Sequence, residues 1–404
     1  MHFTKIREGG RSARPPREPN HRVGRSFPAG DCLCNDMEMA QTASTPQIDR
    51  GTDATGREFE PRVLLRRGLP TIVAISLLVV IVLLAPGLGE VRDLLGEASP
   101  GWIAVAIGLE ALSFGSYIVM FAPIFCRGLS WNRSWQIGGS ELAMTSLVPA
   151  SGAGGLAFGA WVLHGGGMDA DRIARRSVAF FLIKGSVNFV AVALLGLLMF
   201  SGALGGDQPA SLTLLPALLA ITLIVLVLVV PRLGPGQPAG ADDSRLRRWS
   251  SASRKALITG TTESIEIARA RNPRVIIGAI GYWAFDNAVL WATFRAFGFT
   301  PEISIVLMGY LIGQLGGLLP IPGGIGGIDG GLIGTLIVYG APAAVVAAAV
   351  LAYRVILFWL PLIAGGIAFS LLRRDMPRDN ELGACEAASR FKAGELQKLT
   401  HPRP

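Results

Sequence analysis

Charged residues are scarce in this chain of 404 residues: they make up 16% of it, whereas hydrophobic residues make up 50%. Cysteine and histidine are rarer still, with four of each. Neither type has the spacing of a metal site, and Cys32 and Cys34 form an incidental pair. The sequence has no Gly-Lys dipeptide, which excludes the phosphate-binding loop of P-loop ATPases. We therefore expect no metal and no cofactor.

The apolar residues collect in runs long enough to cross a membrane, for which about 20 residues suffice. An ordinary soluble domain has no such runs. They predict an all-α polytopic membrane protein with about seven to nine membrane segments, some of them half-helices. The clearest runs are Leu69–Leu88, Trp102–Phe125, Val178–Phe200, Leu212–Val230, Val275–Phe294, Ile303–Leu319 and Ala343–Leu372.

Most basic residues lie outside these runs. Of 37 Lys and Arg, 12 precede Leu69, nine lie between Arg232 and Arg274, and seven follow Leu372. A positive-inside bias explains this without nucleic acid, and it places both termini in the cytoplasm. We expect three parts: a disordered basic tail (residues 1–67), a membrane domain (68–372) with a cytoplasmic basic loop (232–274), and a polar tail (373–404).

Two segments are predicted to enter and leave the membrane on the same side. Trp135–Leu163 has basic residues on both flanks and is broken at Pro149 by small residues, which favours a re-entrant pair of half-helices. Ile303–Leu319 and Ile325–Val338 must also return to the side from which they start. They are either two full spans or a second re-entrant pair.

The breaks in these two segments resemble each other. LVPASGAGG (Leu147–Gly155) is similar to LLPIPGGIGG (Leu318–Gly327). Each is followed by a short apolar helix and then by a membrane helix with a basic residue, Lys184 or Arg354. This order predicts an internal duplication, and transporters often bind substrate between such repeats.

Glycine-rich breaks leave free N–H groups at the start of the next half-helix, where an anion binds well. Irregular backbone at membrane depth also requires protein or a water-filled cavity around it. The alternative is that the glycines only allow close helix packing. We predict substrate contacts at Pro149, Gly152, Gly154, Gly155, Pro320, Pro322, Gly323, Gly324, Gly326 and Gly327.

Six charged residues lie inside the predicted spans, where each costs about 2.5–3.5 kcal/mol at mid-bilayer. They are Glu110, Glu141, Lys184, Asp286, Asp329 and Arg354. Lys184 lies near the predicted start of its helix, from which it can snorkel to the surface. Arg354 is predicted to pair with Asp329 or Asp286. Such a pair either holds the bundle together or lines a lipid path, so we include Lys184, Asp286, Asp329 and Arg354 among the candidate substrate contacts.

The stretch LLPIPGGIGGIDGGLIGTLIVYG, with the later AAAVLAYRVILFWLPLIAGG, resembles the C-terminal signature of the lysylphosphatidylglycerol synthase transmembrane, or flippase-like, family. The resemblance covers about Leu69 to Leu372. Asp329 stands where many members carry Glu, and the first break lacks their Arg and Gly-Glu-x-x-Arg run. The matching positions are Pro320, Pro322, Gly323, Gly324, Gly326, Tyr353, Arg354, Pro361 and Gly365, and the resemblance adds Tyr353 to the candidate substrate contacts.

In that family this domain is a multispan lipid-translocating unit, in some members fused to a soluble aminoacyl-transferase. The resemblance therefore implies a flippase or scramblase of the plasma membrane that moves an anionic phospholipid or a polyprenyl-phosphate-linked lipid. We expect no aminoacyl transfer, because only 32 residues follow Leu372, and we favour a protein that is not an enzyme. Two alternatives remain: an intramembrane lipid-modifying enzyme that uses Asp286 or Asp329, and a non-transporting membrane partner that docks through Arg245–Arg271. That segment is either a surface helix on anionic lipid or a solvated linker.

Overall fold

The computed structural model describes residues 69, 72–73, 76, 89–126, 128–147, 153–204, 209–234, 245–315 and 327–375. These residues form α-helices and one 3₁₀ turn, Val230–Leu233, with no strand among them. The predicted N-terminal tail, the polar C-terminal tail beyond residue 375, most of the first apolar run and the centres of both breaks lie outside the described residues. The helices are α1 (Gly89–Gly96), α2 (Pro100–Phe125), α3 (Trp131–Leu147), α4 (Ala153–Gly165), α5 (Ala170–Phe200), α6 (Ala210–Val229), α7 (Arg245–Arg269), α8 (Pro273–Ala296), α9 (Ile303–Leu315), α10 (Gly327–Val338) and α11 (Ala343–Asp375).

Five of these helices are long and apolar enough to cross a membrane: α2, α5, α6 with part of the following 3₁₀ turn, α8 and α11. This confirms an all-α membrane protein. Helix α5 begins earlier than its apolar run, because the Asp169 side chain accepts a hydrogen bond from the Arg172 N–H and caps the helix. Lys184 therefore lies near the middle of a 31-residue helix, so the predicted position near the helix start, on which the snorkelling interpretation depended, was wrong.

Besides the short α1, four helices are too short to span over the residues that the structure describes, and they pack as two hairpins, α3 with α4 and α9 with α10. They have 17, 13, 13 and 12 residues, a rise of about 18–26 Å against a hydrocarbon core of about 30 Å. Glycine brings each hairpin together: a Cβ on Gly155 would lie 2.6 Å from the Glu141 carbonyl oxygen, and one on Gly313 would lie 2.9 Å from Leu332 Cα. These lengths favour a second re-entrant pair over two full spans.

The first hairpin returns to the end of the bundle from which it starts. The Arg176 guanidinium, near the start of α5, donates a hydrogen bond of 2.7 Å to the Ile124 carbonyl at the end of α2. At the same end, the Gln136 amide near the start of α3 donates to the Asp375 carboxylate at the end of α11, at 2.8 Å. These contacts support the predicted entry and exit of Trp135–Leu163 on one side.

At the other end of the bundle, the start of α2 contacts the end of α8. The Ser99 N–H donates to the Ala296 carbonyl at 2.8 Å, so the two helices are antiparallel. The Tyr339 hydroxyl, just after the second hairpin, donates to the Leu212 carbonyl at the start of α6, at 2.7 Å. The two hairpins therefore begin at opposite ends of the bundle.

The contacts between helices support the predicted duplication, with α2–α5 as one unit and α8–α11 as the other. Helix α2 packs on α8, and the other contacts within and between these two units come in matched pairs, whereas α5 also packs on α6 and α7, which lie outside the units. Within the units, α3–α4 matches α9–α10, α2–α3 matches α8–α9, α2–α5 matches α8–α11, and α4–α5 matches α10–α11. Between the units, α3–α11 matches α9–α5, and α2–α11 matches α8–α5. Because α2 and α8 run antiparallel, the two units are inverted relative to each other.

Each end of the bundle has its own apolar core. One core contains Phe121, Phe158 and Phe180 around the first hairpin, and the other contains Phe294, Met308 and Leu336 around the second. Helix α7 lies along the start of α5, where Lys255 pairs with Asp171 at 2.7 Å and Arg176 with Glu263 at 2.6 Å. The sequence left open whether Arg245–Arg271 is a surface helix or a solvated linker, and the structure makes it helical over Arg245–Arg269.

A close backbone contact between α11 and α3 gives a stability prediction. A Cβ on Gly365 would lie 2.2 Å from the Gly139 carbonyl oxygen, so Gly365→Ala must push α11 away from α3. We expect this change to lower the free energy of unfolding by about 1–3 kcal/mol. Gly366→Ala is the matched control, because a Cβ there meets no atom within 4 Å. Thermal unfolding of the purified protein tests this, and equal stability of the two variants would contradict the close contact.

Candidate functional site

Between the two apolar cores lies a group of buried polar side chains. Four carboxyl groups, from Glu110, Glu141, Asp286 and Asp329, are only 3–9% exposed. They come from four helices and lie near the middle of the long helices or toward the tips of the hairpins. We name the whole group the polar layer: Glu110, Tyr117, Glu141, Lys184, Tyr282, Asp286, Tyr310, Asp329, Tyr353 and Arg354.

Arg354 and Asp329 form an ion pair between α11 and α10. The Arg354 Nε donates to Asp329 Oδ1 at 2.7 Å, and Nη2 donates to the same oxygen. Both side chains are mostly buried, at 18% and 12% exposed. Of the two pairings that the sequence left open, the structure forms this one. Asp329 Oδ2 is buried without a hydrogen-bond partner among the described residues, so the pair leaves one carboxylate oxygen unused.

Asp286 joins three helices through its two oxygens. It accepts a hydrogen bond from the Tyr310 hydroxyl on α9 and another, of 3.0 Å, from the Tyr353 hydroxyl on α11. Two tyrosine donors stabilise a buried carboxyl group that would otherwise lack partners. Tyr353 is thus placed in the site predicted for it, whereas Tyr310 was not predicted.

Lys184 connects the two repeat units. Its ammonium nitrogen lies 4.9 Å from the ring centre of Phe181, 5.2 Å from that of Tyr282 and 5.7 Å from that of Tyr117. It also interacts electrostatically with Glu141 on α3 and with Asp286 on α8. A partly buried cation is thus held by aromatic faces and by acids from both units.

The predicted contacts in the breaks are only partly described. Gly154 and Gly155 lie in the first turn of α4, and Gly327 begins α10. Gly155 has a packing role, because a Cβ there would lie 2.0 Å from Thr145 Oγ1. The other predicted break residues lie outside the described residues, and their contact with a substrate stays a prediction. They are Pro149, Gly152, Pro320, Pro322, Gly323, Gly324 and Gly326.

Sequence reasoning placed the charged residues in the membrane but missed three tyrosines of the site, Tyr117, Tyr282 and Tyr310. A signal was present, since the whole chain has only five tyrosines. Four of them are in the polar layer, and each lies inside an otherwise apolar stretch. Rare hydroxyl-bearing side chains in membrane runs were therefore the clue.

The charges of the polar layer set its chemistry. It has four carboxyl groups and two cationic groups, so acids outnumber bases. Lys184 and Arg354 are the groups that attract a phosphate, and the tyrosine hydroxyls both donate and accept hydrogen bonds. No group of three or more metal-ligating side chains occurs in the part of the chain that the structure describes. The arrangement fits reversible binding of a polar group inside the bundle.

Comparison with known proteins agrees with the membrane architecture. The family model described as the lysylphosphatidylglycerol synthase TM region matches residues 71–365, most of the chain. A UPF0104 membrane protein of Methanothermobacter thermautotrophicus is 31% identical over 86 residues, which are 21% of this chain and 26% of that relative. The alignment thus spans about a quarter of the relative's length. The extent of the family match shows that this chain belongs to the lysylphosphatidylglycerol synthase TM region family.

Proposed function

We propose that the protein moves a lipid between the two leaflets of the membrane and is not an enzyme. The lipid is an anionic phospholipid or a polyprenyl-phosphate-linked lipid. Its head group crosses through the polar layer while its chains stay in the hydrocarbon. This is a lipid-related role of the kind that the family suggests.

The polar layer is the observation that carries this proposal. Ionisable residues at membrane depth are costly, at about 2.5–3.5 kcal/mol each on insertion scales, and they commonly mark a substrate path. Here they lie between inverted repeat units with short hairpins, the arrangement in which transporters bind substrate. A bundle that only had to be stable would gain more from apolar side chains at these positions.

The balance of charged groups in the polar layer suits a head group that passes through rather than one that stays bound. Lys184 and Arg354 attract a phosphate, but each already interacts with acids of the layer. A head group must therefore compete with Asp329 for the Arg354 guanidinium. A translocation site has to bind well enough for entry and weakly enough for release. Because the layer has more acids than cations, the acids compete with the head group and keep its binding weak enough for release.

An apolar groove beside the polar layer fits the lipid chains. Its volume is about 460 Å³, and it opens on the outer face of α2 and α11. It begins at Val355, the residue after Arg354, and runs toward Ile367. A lipid with its phosphate at Arg354 would place a chain in this groove. The lining residues are Ile107, Val355, Ile356, Trp359, Leu360, Ile363, Ala364 and Ile367.

Purified protein in sealed vesicles tests the proposal. A panel of fluorescent lipids with phosphate-bearing or zwitterionic head groups is placed in one leaflet, and its appearance in the other is followed by chemical quenching. We expect protein-dependent movement of the phosphate-bearing anionic lipids. Movement no faster than in protein-free vesicles, for every lipid of the panel, would refute the proposal. Recovery of covalently altered lipid would instead indicate an enzyme.

The same proposal places the protein in the plasma membrane with both termini in the cytoplasm, since basic residues favour that side. Trp131→Cys and Asp169→Cys would then react with a membrane-impermeant thiol reagent from the cytoplasmic side. Both positions flank the first hairpin. Reaction of the two cysteines from opposite sides would contradict a re-entrant α3–α4.

A further inference from the structure

One face of α8 carries a row of polar atoms that lack hydrogen-bond partners. The residues are Trp283, Asn287, Trp291 and Arg295, at intervals of four, so each lies next to the following one and the row turns about 120° around the helix from first to last. Each has a buried atom without a partner: Nε1 of Trp283, Oδ1 of Asn287, Nε1 of Trp291 and Nε of Arg295. We name these four residues the α8 stripe.

The α8 stripe runs from the polar layer to one end of the bundle. Trp283 directly follows Tyr282 of the layer, and Arg295 is the residue before Ala296, where α8 ends beside Ser99. Twelve residues of helix rise about 18 Å, which is more than half of the hydrocarbon thickness of about 30 Å. The stripe therefore connects mid-membrane with one surface.

Such a row is unusual, because nearly all buried polar groups in proteins have a hydrogen-bond partner. In a bilayer no bulk water is present to supply one. Leucine or phenylalanine would fill the same space at no cost in lost hydrogen bonds. A fifth such atom, Asn188 Oδ1, lies on α5 one turn after Lys184. Orphaned atoms thus cluster on helices that carry the polar layer, which indicates a ligand that pairs with them.

Arg295 is held at the outer end of the stripe. Its guanidinium carbon lies 5.2 Å from the ring centre of Trp102 and 5.7 Å from that of Trp291, and Nη1 donates to the Thr300 hydroxyl. Aromatic faces hold a cation in place without neutralising its charge. Arg295 is therefore a fixed positive group where the stripe meets the membrane surface.

We propose that the α8 stripe is the track along which the lipid head group passes between the polar layer and that surface. Trp283, Trp291 and Arg295 donate hydrogen bonds and Asn287 accepts one. The matching head group has phosphate oxygens as acceptors and a hydroxyl or ammonium group as donor. This inference rests on the proposed lipid movement and adds its route and the chemistry of its substrate.

Replacing the polar atoms by apolar side chains of the nearest size tests the track. In Asn287→Leu and Trp291→Phe, we expect lipid movement per folded molecule to fall about tenfold or more, the effect of one lost hydrogen bond in the path. Thermal stability should change little, because each change removes an orphaned atom together with a modest contact: the Asn287 Nδ2 hydrogen bond to the Trp283 carbonyl, or part of the Trp291 ring contact with Trp102. Ile280→Leu is the control, since Ile280 lies on an exposed face of α8. Wild-type lipid movement in both stripe variants, with movement present in the parent, would overturn the track and leave the proposed function standing.

A second measurement does not depend on lipid movement. Asn287→Cys in vesicles should react with an anionic, water-soluble thiol reagent, while Ile280→Cys should not. Mass spectrometry locates the label, so the native cysteines do not interfere. Vesicles of phosphatidylglycerol should protect Cys at position 287 relative to vesicles of phosphatidylcholine. An unreactive cysteine at 287 would overturn the track, and so would a reactive one without protection, which indicates a crevice that holds only water.

Discussion

Replacing Arg354 with alanine is expected to cause the largest loss of stability of any change in the polar layer. The Asp329 carboxylate, which accepts from Arg354 Nε at 2.7 Å, would be left buried without its cation. Breaking a buried ion pair from one side costs about 3–5 kcal/mol in free energy of unfolding. We expect less folded protein after solubilisation and a lower unfolding temperature, measured on purified protein.

Two double variants separate the pair from its surroundings. Arg354→Ala with Asp329→Ala removes both charges and should recover part of the lost stability. Arg354→Ala with Asp286→Asn should not, because Asp286 is held by Tyr310 and Tyr353 rather than by a direct ion pair. Equal recovery in the two double variants would contradict the pairing assigned to Arg354.

Replacing Lys184 with methionine is expected to cause the largest loss of lipid movement. The ammonium group interacts with Glu141 and Asp286 and lies over three aromatic rings between the repeat units. A charge-assisted hydrogen bond from this ammonium to a phosphate contributes about 1.5–3 kcal/mol. Its loss corresponds to about a 10- to 100-fold decrease in movement per folded molecule. The vesicle assay measures this, normalised to folded protein.

The control for Lys184→Met is Gly185→Ala, the neighbouring residue on α5, where a Cβ meets no atom within 4 Å. That variant should move lipid at the parent rate. A second comparison adds Glu141→Gln to Lys184→Met, which removes an acid along with its cation. If this double variant moves lipid at the parent rate, Lys184 serves only to balance the charge of Glu141.

Much of the fold could be predicted because its signals are local. Apolar runs fix the long helices, and the similar breaks that begin at Leu147 and Leu318 predicted an internal duplication, while the second segment stayed open as two spans or a re-entrant pair. The charged residues of the site were also found from sequence, since Lys184 and Arg354 stand out in apolar surroundings. These patterns can be read from the sequence without knowing which helices are in contact.

The contacts of the site could not be predicted, because they join residues far apart in the chain. Tyr310 donates to Asp286 across 24 positions and Tyr353 across 67. Which helix faces which depends on packing such as the Gly365–Gly139 contact, and no local pattern records it. The start of α5 differs from the prediction for another reason: the basic turn before the apolar run is typical of a flank outside the helix, but Asp169 caps a helix there.

The orphaned atoms of the α8 stripe illustrate the same limit. Trp283, Asn287 and Trp291 have helical spacing in the sequence, but apolar spans often carry such residues at helix contacts. Only the burial of their polar atoms without partners separates them from ordinary packing residues. Burial is a property of the assembled bundle.

The central claim is that a lipid head group enters the polar layer in the middle of the bundle. Photo-cross-linking in vesicles tests it most directly, with an anionic phospholipid that carries the photoreactive group on its head group. We predict adducts on the α5 peptide around Lys184 and on the α11 peptide around Arg354, with fewer adducts when unlabelled anionic lipid competes. Adducts confined to the ends of the long helices, with none near these two residues, would contradict the account.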